Sequence, residues 1–322
     1  MKKILIAGPG NSGSGAILDF LKSRNDISIP FKNEEFRFVN DPSGIQNLEE
    51  NFYSNFSINN ISNSYANFGL FCKGLSSFKN QQGKNVYPKE FEILYKKYMN
   101  EITYLSYNGM PRFQRFNLNL FEKIKFYFLK TILKKKMENI NMFKMILPIE
   151  KEKFIEISKK FIDDILMYFD ITLQNKIALI DQGVNIFKLN ENIKYFSNSK
   201  CILTIRDPRG TFHTIMQLKR KNEALGYQGI DLENFTKWYK FIYEKIKRIE
   251  IDQKNTLLIK FDDFVLNHEK ISDKIINFLG LEKQYTSFDI KKSIPNVIEV
   301  EKDLGEKTSE FIKSELKDYL LF

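Results

Sequence analysis

The chain has 322 residues, 43% of them hydrophobic, which is enough to bury a sizeable core in one large α/β domain. Its net charge of +10 fits a nucleic acid, an anionic membrane surface or a small anionic ligand, and is equally typical of a lysine-, asparagine- and isoleucine-rich proteome. Cys72 and Cys201 lie far apart without a CxxC pattern, which excludes a disulfide scaffold and indicates a reducing cytoplasm.

Short apolar runs of strand length alternate with helical patterns along most of the chain. The predicted strands cover residues 4–7, 27–30, 177–180, 201–205 and 256–261. Apolar residues at three- and four-residue spacing predict helices over 17–21, 154–169, 235–249 and 271–279. Strands that alternate with helices predict an α/β fold whose parallel sheet has helices on both faces, with a nucleotide site at the carboxyl ends of the strands.

The stretch from about residue 74 to residue 150 has a different composition, rich in Lys, Tyr, Phe and Asn. We expect a single domain over 1–322, with a largely helical insertion or lid at about 74–150. No segment reaches the ~18 uninterrupted apolar residues of a membrane span. The apolar run at the start is also too short for the ~7–15-residue core of a signal peptide.

A glycine-rich loop, Gly8-Pro9-Gly10-Asn11-Ser12-Gly13-Ser14-Gly15-Ala16, joins the first predicted strand to the first predicted helix. We expect the amides of Ser12 to Ala16 to face an anion at the helix N-terminus, with Ser12 and Ser14 as hydroxyl donors. A dinucleotide-binding loop would be followed by an acidic residue about twenty residues further on, and a kinase loop would carry lysine at Ser14. The loop therefore predicts an anion site of another kind, with a tight turn that binds nothing as the alternative.

A second candidate anion site follows the strand predicted over 201–205. Arg206 ends this strand, Pro208 breaks it, and Thr214 lies on the next predicted helix. The arginine and the threonine hydroxyl are therefore expected to reach the same anion.

Together the two sites resemble the sulfotransferases that use 3′-phosphoadenosine 5′-phosphosulfate (PAPS). In that family a loop such as R-S-G-S-G-A holds the 5′-phosphosulfate, and an R-D-P-x-x-x-x-x-S element holds the 3′-phosphate. The F-L-G-L sequence of residues 278–281 and an S-x-x-N segment at Ser293 extend the resemblance towards the C-terminus. The nucleotide-binding residues that the resemblance implies are Gly10, Asn11, Ser12, Gly13, Ser14, Gly15, Ala16, Arg206, Thr214, Lys292, Ser293 and Asn296.

The resemblance implies the P-loop-like sulfotransferase fold, PAPS as co-substrate and no metal ion. Asn11 departs from the pattern, because the family usually has Lys or Arg there in contact with the phosphosulfate. Either Lys32, Arg37 or Lys73 supplies the charge, or turnover is slow, or the chain binds the nucleotide without using it.

The acceptor side is expected in the segment 30–38 that follows the second predicted strand. Carbohydrate sulfotransferases often place a glutamate there, which implies Glu35 as the catalytic base with Arg37 beside it. Glu34 is the close alternative, and a solvated acidic pair is an equally supported interpretation. Asp181 and Gln182 end another predicted strand and are candidates for contacts with acceptor hydroxyls, with a strand-end turn as the alternative.

The resemblance therefore implies a cytoplasmic, bacterial, PAPS-dependent sulfotransferase. Its acceptor is expected to be a hydroxyl of a carbohydrate or a glycolipid-type molecule, and no nucleic acid partner is expected. The alternatives are a nucleotide kinase of the same general fold and a non-catalytic nucleotide-binding protein. The sequence leaves the oligomeric state open.

Overall fold

The computed structural model of the chain describes residues 1–31, 35–79, 87, 90–109, 120–134, 143–170, 174, 176–223, 226–284 and 286–320. The chain divides into two compact units, the first formed by Met1–Phe36 with Leu166–Phe322 and the second by Arg37–Ile165. The single-domain organisation over 1–322 stays a prediction.

The described strands are, in chain order, β1 (Lys3–Ala7), β2 (Ile27–Ser28), β3 (Thr103–Gly109), β4 (Phe143–Pro148), β5 (Ile177–Asp181), β6 (Ser199–Ile205) and β7 (Thr256–Lys260). The described α-helices are α1 (Ser14–Lys22), α2 (Ile45–Glu49), α3 (Ile58–Ser77), α4 (Phe91–Glu101), α5 (Leu120–Tyr127), α6 (Lys151–Phe169), α7 (Leu189–Ile193), α8 (Pro208–Arg220), α9 (Leu232–Lys247), α10 (Phe261–Leu266), α11 (His268–Leu279), α12 (Pro295–Ile298), α13 (Val300–Leu304) and α14 (Glu306–Glu315).

The first unit contains a five-stranded sheet in the order β2-β5-β1-β6-β7, and all its strand pairs are parallel. The central strand β1 is buried along its whole length, which explains its continuous apolar sequence after Lys3. The predicted α/β class and all five predicted strands are confirmed. Strand β2 is shorter than predicted because Pro30 has no N–H to donate to the ladder.

Helices α1, α10 and α11 cover one face of the sheet. Ile4 and Ile6 of β1 pack in one apolar cluster with Ile17 of α1, Phe264 of α10 and Leu279 of α11. Strand β1 lies between β5 and β6, so the chain crosses from one half of the sheet to the other on either side of β1. The switch point is therefore at the carboxyl end of β1. Ligands of open α/β sheets bind at such a switch point, which is where the glycine-rich loop lies.

The second unit has an aromatic core and an antiparallel two-stranded sheet. Strand β3 pairs with β4 from Thr103 opposite Pro148 to Gly109 opposite Phe143. Tyr98 of α4 stacks on Phe161 of α6 with ring centroids 4.2 Å apart. The stretch expected to be largely helical thus also contains a two-stranded antiparallel sheet. Among the described residues, no helix has the length and apolar content needed to cross a bilayer.

Candidate functional site

The glycine-rich loop between β1 and α1 turns through two left-handed residues. Asn11 has φ +63° and Gly13 has φ +83°. At Gly13 a Cβ would stand 2.3 Å from the ring of Phe261, so only glycine fits there. Asparagine tolerates the left-handed region better than most residues, which accounts for the local conformation at Asn11.

Some loop amides are used inside the loop. The Ser12 N–H donates to the Pro9 carbonyl and the Ala16 N–H donates to the Gly13 carbonyl, both at 3.1 Å. The expectation that every amide from Ser12 to Ala16 faces an anion is therefore wrong at these two positions. The N–H groups of Ser14 and Gly15 begin α1 and have no acceptor within the helix, so they are the donors that remain for a ligand.

Two predicted loop residues face away from the cavity in front of the loop. The Ser12 side chain is buried, and its hydroxyl shares a 2.9 Å hydrogen bond with the hydroxyl of Thr204 on β6. The expectation of a Ser12 hydroxyl aimed at an anion is therefore not met. At Gly10 a Cβ would stand 2.2 Å from the hydroxyl of Tyr227, so glycine allows that phenol to lie close to the loop.

The cavity in front of the loop has a volume of about 830 Å³, within the ~300–1,000 Å³ range of ligand pockets. Its walls come from the loop, the end of β6, helix α8 and the segment before α13. The predicted residues that line it are Asn11, Gly13, Ser14, Gly15, Ala16, Arg206, Thr214, Lys292, Ser293 and Asn296. Two stretches about 190 residues apart in the sequence are thus brought to one cavity within the first unit.

Arg206 is the best-positioned cation of this cavity. Its side chain is only 3% exposed, and one terminal nitrogen donates to the Thr214 hydroxyl at 2.7 Å. The other donates to the Asn296 carbonyl at 2.7 Å, which ties the C-terminal segment to the arginine. The guanidinium lies 4.7 Å from the centre of the Phe261 ring. Its Nε is buried and has no hydrogen-bond partner among the described residues.

The surroundings hold Arg206 in place, and the carboxylates of Asp262 and Asp207 offset part of its charge. Its carbonyl accepts hydrogen bonds from the hydroxyls of Tyr239 and Tyr243, at 2.6 and 3.0 Å. Burial raises the pKa of nearby Asp262 to about 6, and one oxygen of that carboxyl accepts from the Asp207 N–H. Burial also lowers the pKa of Arg206, so the site would gain from an anion that compensates the buried guanidinium.

Several lining residues were not found from the sequence. Asp19 and Lys22 follow Gly15 at spacings of four and three residues, so all three share one face of α1. This spacing from the glycine-rich loop is a signal that could have found them. Phe261 and Phe288 give the cavity two aromatic rings, which the pattern around F-L-G-L did not indicate.

The predicted acceptor residues lie at the carboxyl end of β5, next to β1. The Phe36 N–H donates to the Asp181 carbonyl at 3.0 Å, which holds the segment of Glu35 against the end of this strand. The Gln182 N–H donates to the Ile6 carbonyl, and its side-chain amide donates to the Ser14 hydroxyl at 3.4 Å. Gln182 therefore connects this carboxylate side with the glycine-rich loop.

Asp181 lies in an environment that perturbs its carboxyl. Burial raises its pKa to about 6, and the neighbouring Glu35 carboxylate adds to the rise. Its Oδ1 is buried and has no hydrogen-bond partner among the described residues. A half-buried carboxyl with such a pKa can exchange a proton near neutral pH, which is the property that a general base or acid needs.

None of the three residues that could replace the missing cation at Asn11 is a described residue of the first unit. Arg37 begins the second unit, and Lys73 is an exposed residue of α3 in that unit. Lys32 and Glu34 lie outside the described residues.

Comparison with known proteins gives one family match. The model of the sulfotransferase family matches residues 4–285. No curated protein is significantly similar to the chain in sequence.

Among solved structures, the chain is similar to the sulfotransferase domain of the Synechococcus PCC 7002 olefin synthase, at 13% identity and a TM-score of 0.39 over 88% of this chain and 74% of that chain. The sulfotransferase domain from the curacin biosynthetic pathway gives 13% identity and a TM-score of 0.41 over 98% and 97% of the two chains. Sulfotransferase STF9 from Mycobacterium avium gives 8% identity and a TM-score of 0.41 over 99% and 76%.

Proposed function

Since this chain belongs to the sulfotransferase family, we propose that it moves the sulfuryl group of PAPS to a hydroxyl of a carbohydrate or glycolipid-type acceptor. The observation that carries the proposal is the single cavity lined by both the N-terminus of α1 and the buried Arg206. Two candidate anion sites in one cavity suit a nucleotide that carries a phosphate on each side of its ribose.

The 3′-phosphate is assigned to Arg206, Thr214 and the C-terminal segment. Each terminal nitrogen of Arg206 carries a second N–H that can donate to an oxygen, and the Thr214 hydroxyl already lies 2.7 Å from one of them. Lys292, Ser293 and Asn296 also line the cavity, and Lys292 adds a second cation. Hydrogen bonds between a charged donor and a phosphate are among the strong ones in proteins.

The phosphosulfate is assigned to the N-terminus of α1. Lys22 lies about 12 Å along α1 from Ser14, at ~1.5 Å per residue, so its backbone is distant from the N-terminus of the helix. The described donors of the loop and of its neighbour Gln182 are neutral: the amides of Ser14 and Gly15, the Ser14 hydroxyl and the side-chain amides of Asn11 and Gln182. We infer that the charge developing on the departing phosphate is stabilised by dipoles rather than by a lysine.

The acceptor proton is assigned to the carboxylates beside the loop. PAPS supplies the sulfuryl group, whose sulfur forms a bond to the acceptor oxygen as its bond to the phosphate oxygen breaks. Glu35 takes the acceptor proton, while Asp181 and Gln182 orient the acceptor hydroxyl. The carboxylate set favours a sugar-like acceptor, because several neighbouring hydroxyls can bond to it at once.

We place the protein in the cytoplasm. Both cysteines are free and buried, which agrees with a reducing compartment.

Binding of adenosine 3′,5′-bisphosphate, the product that PAPS leaves behind, tests the proposal without an acceptor. At 100 times its Kd the bisphosphate should stabilise the fold by ~2.7 kcal/mol, and ATP with magnesium should do little. Thr214→Val should weaken bisphosphate binding at least about tenfold. Thr211→Val on the same helix is the matched control, since the Thr211 hydroxyl donates to the Asp207 carbonyl and Thr211 does not line the cavity.

Two outcomes would redirect the assignment. A larger stabilisation by ATP with magnesium than by the bisphosphate would favour the nucleotide kinase. Tight bisphosphate binding without sulfuryl transfer from PAPS to any of a panel of sugars and glycolipids would leave a nucleotide-binding protein.

A further inference from the structure

Helix α5 and the π-helical turn Phe128–Ile132 that continues it form one segment of the second unit, which we call the lysine-flanked helix (residues 120–134). Among the described elements, α5 packs closely only with this continuation. The segment is therefore a poor candidate for a core helix, although its sequence is mostly apolar.

The lysine-flanked helix carries an apolar stripe towards solvent. Leu120, Ile124, Phe128 and Ile132 recur at every fourth residue and are between 45 and 76% exposed. Residues at this spacing lie on one side of a helix, so the stripe runs the length of the segment. Phe126 and Leu129 are only half-buried and are not part of the stripe. The exposed stripe is therefore distinct from the apolar residues of this helix that are partly covered.

Positive charges flank the stripe. Lys123 and Lys125 stand immediately before and after Ile124, so they point ~100° to either side of it. Lys134 continues the charge at the end of the segment, whereas the ammonium of Lys130 lies 5.9 Å from the centre of the Phe126 ring, away from the stripe. All four lysines are exposed. Lysine side chains on such flanks keep their ammonium groups in the polar layer while their stems cover apolar surface.

We propose that the lysine-flanked helix binds the surface of an anionic lipid bilayer. The stripe would enter the boundary between headgroups and acyl chains, ~5–10 Å deep, and the lysines would meet the lipid phosphates. An exposed apolar stripe between cations complements this surface in both respects. The inference concerns the second unit and does not depend on the proposed reaction.

The charge distribution argues against the other occupants of such a face. In a symmetric contact between two copies, the same lysines would face each other across the stripe and repel. A single-stranded nucleic acid would engage the lysines and stack bases on aromatic rings, but it gives no role to Leu120, Ile124 and Ile132.

Vesicle binding by the full chain tests the proposal. We expect the protein to sediment with vesicles of phosphatidylcholine and phosphatidylglycerol but not with phosphatidylcholine alone, and salt should weaken the binding. Ile124→Gln should lower the partition coefficient about tenfold, because it removes one large apolar side chain from the buried stripe. Lys123→Gln should lower it about fivefold on anionic vesicles.

The chain offers a matched control outside the stripe. Phe241 on α9 is 63% exposed, and Lys245 lies 5.5 Å above its ring. Phe241→Gln should leave vesicle binding unchanged, and none of these exposed substitutions should shift the melting temperature appreciably. In a Phe121→Trp variant, lipids brominated near the headgroup should quench the added fluorescence.

Three results would overturn the proposal. The first is vesicle binding that Ile124→Gln does not weaken. The second is a dimer that Ile124→Gln converts to a monomer, without vesicle binding by either form. The third is binding to a single-stranded RNA oligonucleotide, with no partition into anionic vesicles.

Discussion

Replacing Gly15 by alanine separates the stability of the loop from its capacity to bind an anion. Gly15 is the second residue of α1 and lines the cavity. No atom of the described residues lies within 4 Å of the place where its Cβ would stand, so the folded chain has room for the methyl group. Cβ atoms tilt towards the N-terminus of a helix, so this methyl would occupy the space in front of the free amides.

The two expected effects have opposite signs. Alanine in place of an exposed helical glycine stabilises by about 0.5–1 kcal/mol, or a rise in Tm of at most roughly 3 °C for a chain of this size. A phosphate that loses its bond to a first-turn amide loses ~1.5–3 kcal/mol, which corresponds to ~10–150-fold in Kd. Gly15→Ala should therefore melt no lower than the native chain and bind the bisphosphate and PAPS much more weakly.

Thermal unfolding without ligand and calorimetric titration with PAPS would measure both effects. Gly74→Ala is the matched control, because Gly74 is an exposed residue of helix α3 whose Cβ would also meet no described atom. It should gain similar stability with unchanged affinity. Native affinity in a folded Gly15→Ala variant would refute the placement of the anion at the N-terminus of α1.

Three further substitutions test the remaining assignments. Glu35→Gln should lower turnover by ~10²–10⁴-fold with PAPS affinity unchanged, and near-native turnover would remove Glu35 from the role of base. Asn11→Arg should tighten PAPS binding. It should also cost about 1 kcal/mol of stability, because arginine disfavours the left-handed φ of +63° that glycine in Asn11→Gly would accept. Unchanged PAPS affinity in both variants would place the side chain of residue 11 outside the site. Because burial raises the folded-state pKa of Asp181 to about 6, above the ~3.9 of an unfolded aspartate, its contribution to stability is lost as pH rises from 4 through 6. Asp181→Asn should therefore raise Tm at pH 8 but not at pH 4, and equal effects at both would contradict the raised pKa.

The sheet could be predicted from the sequence because its strands are buried. Strand β1 is buried throughout and apolar from Ile4 to Ala7, and β6 is buried from Cys201 to Ile205 with Thr204 as the polar residue of that run. The antiparallel pair of β3 and β4 could not be predicted from the sequence, because the two strands begin 40 residues apart and β3 is mostly exposed. Tyr104 and Leu105 are both exposed, so no alternation of apolar and polar residues marks the strand.

The cavity could be predicted in part, for a similar reason. The R-D-P element placed Arg206 and Thr214, and glycines marked the loop, since both depend on local sequence. The direction of individual groups depends on neighbours far along the chain. Ser12 turns inwards because Thr204 stands beside it, and the Arg206 guanidinium is fixed by the Asn296 carbonyl. Spacing within a motif indicated Asn296 but not the bond between its carbonyl and Arg206, and it did not indicate Thr204.

The neutral residues at the loop and the raised pKa of Asp181 are physically linked. A lysine at the position of Asn11 or Gln182 would stabilise charge on the departing phosphate, but it would also favour the ionised form of a nearby carboxyl and lower its pKa. Gln182 follows Asp181 directly and lies 3.4 Å from the Ser14 hydroxyl, so a cation there would act on both sides of the reaction. With uncharged donors the phosphosulfate is held by dipoles, which influence the carboxyl less than a full charge would. The same choice of residues that weakens leaving-group stabilisation therefore preserves the raised pKa of Asp181, the carboxyl that orients the acceptor hydroxyl beside Glu35.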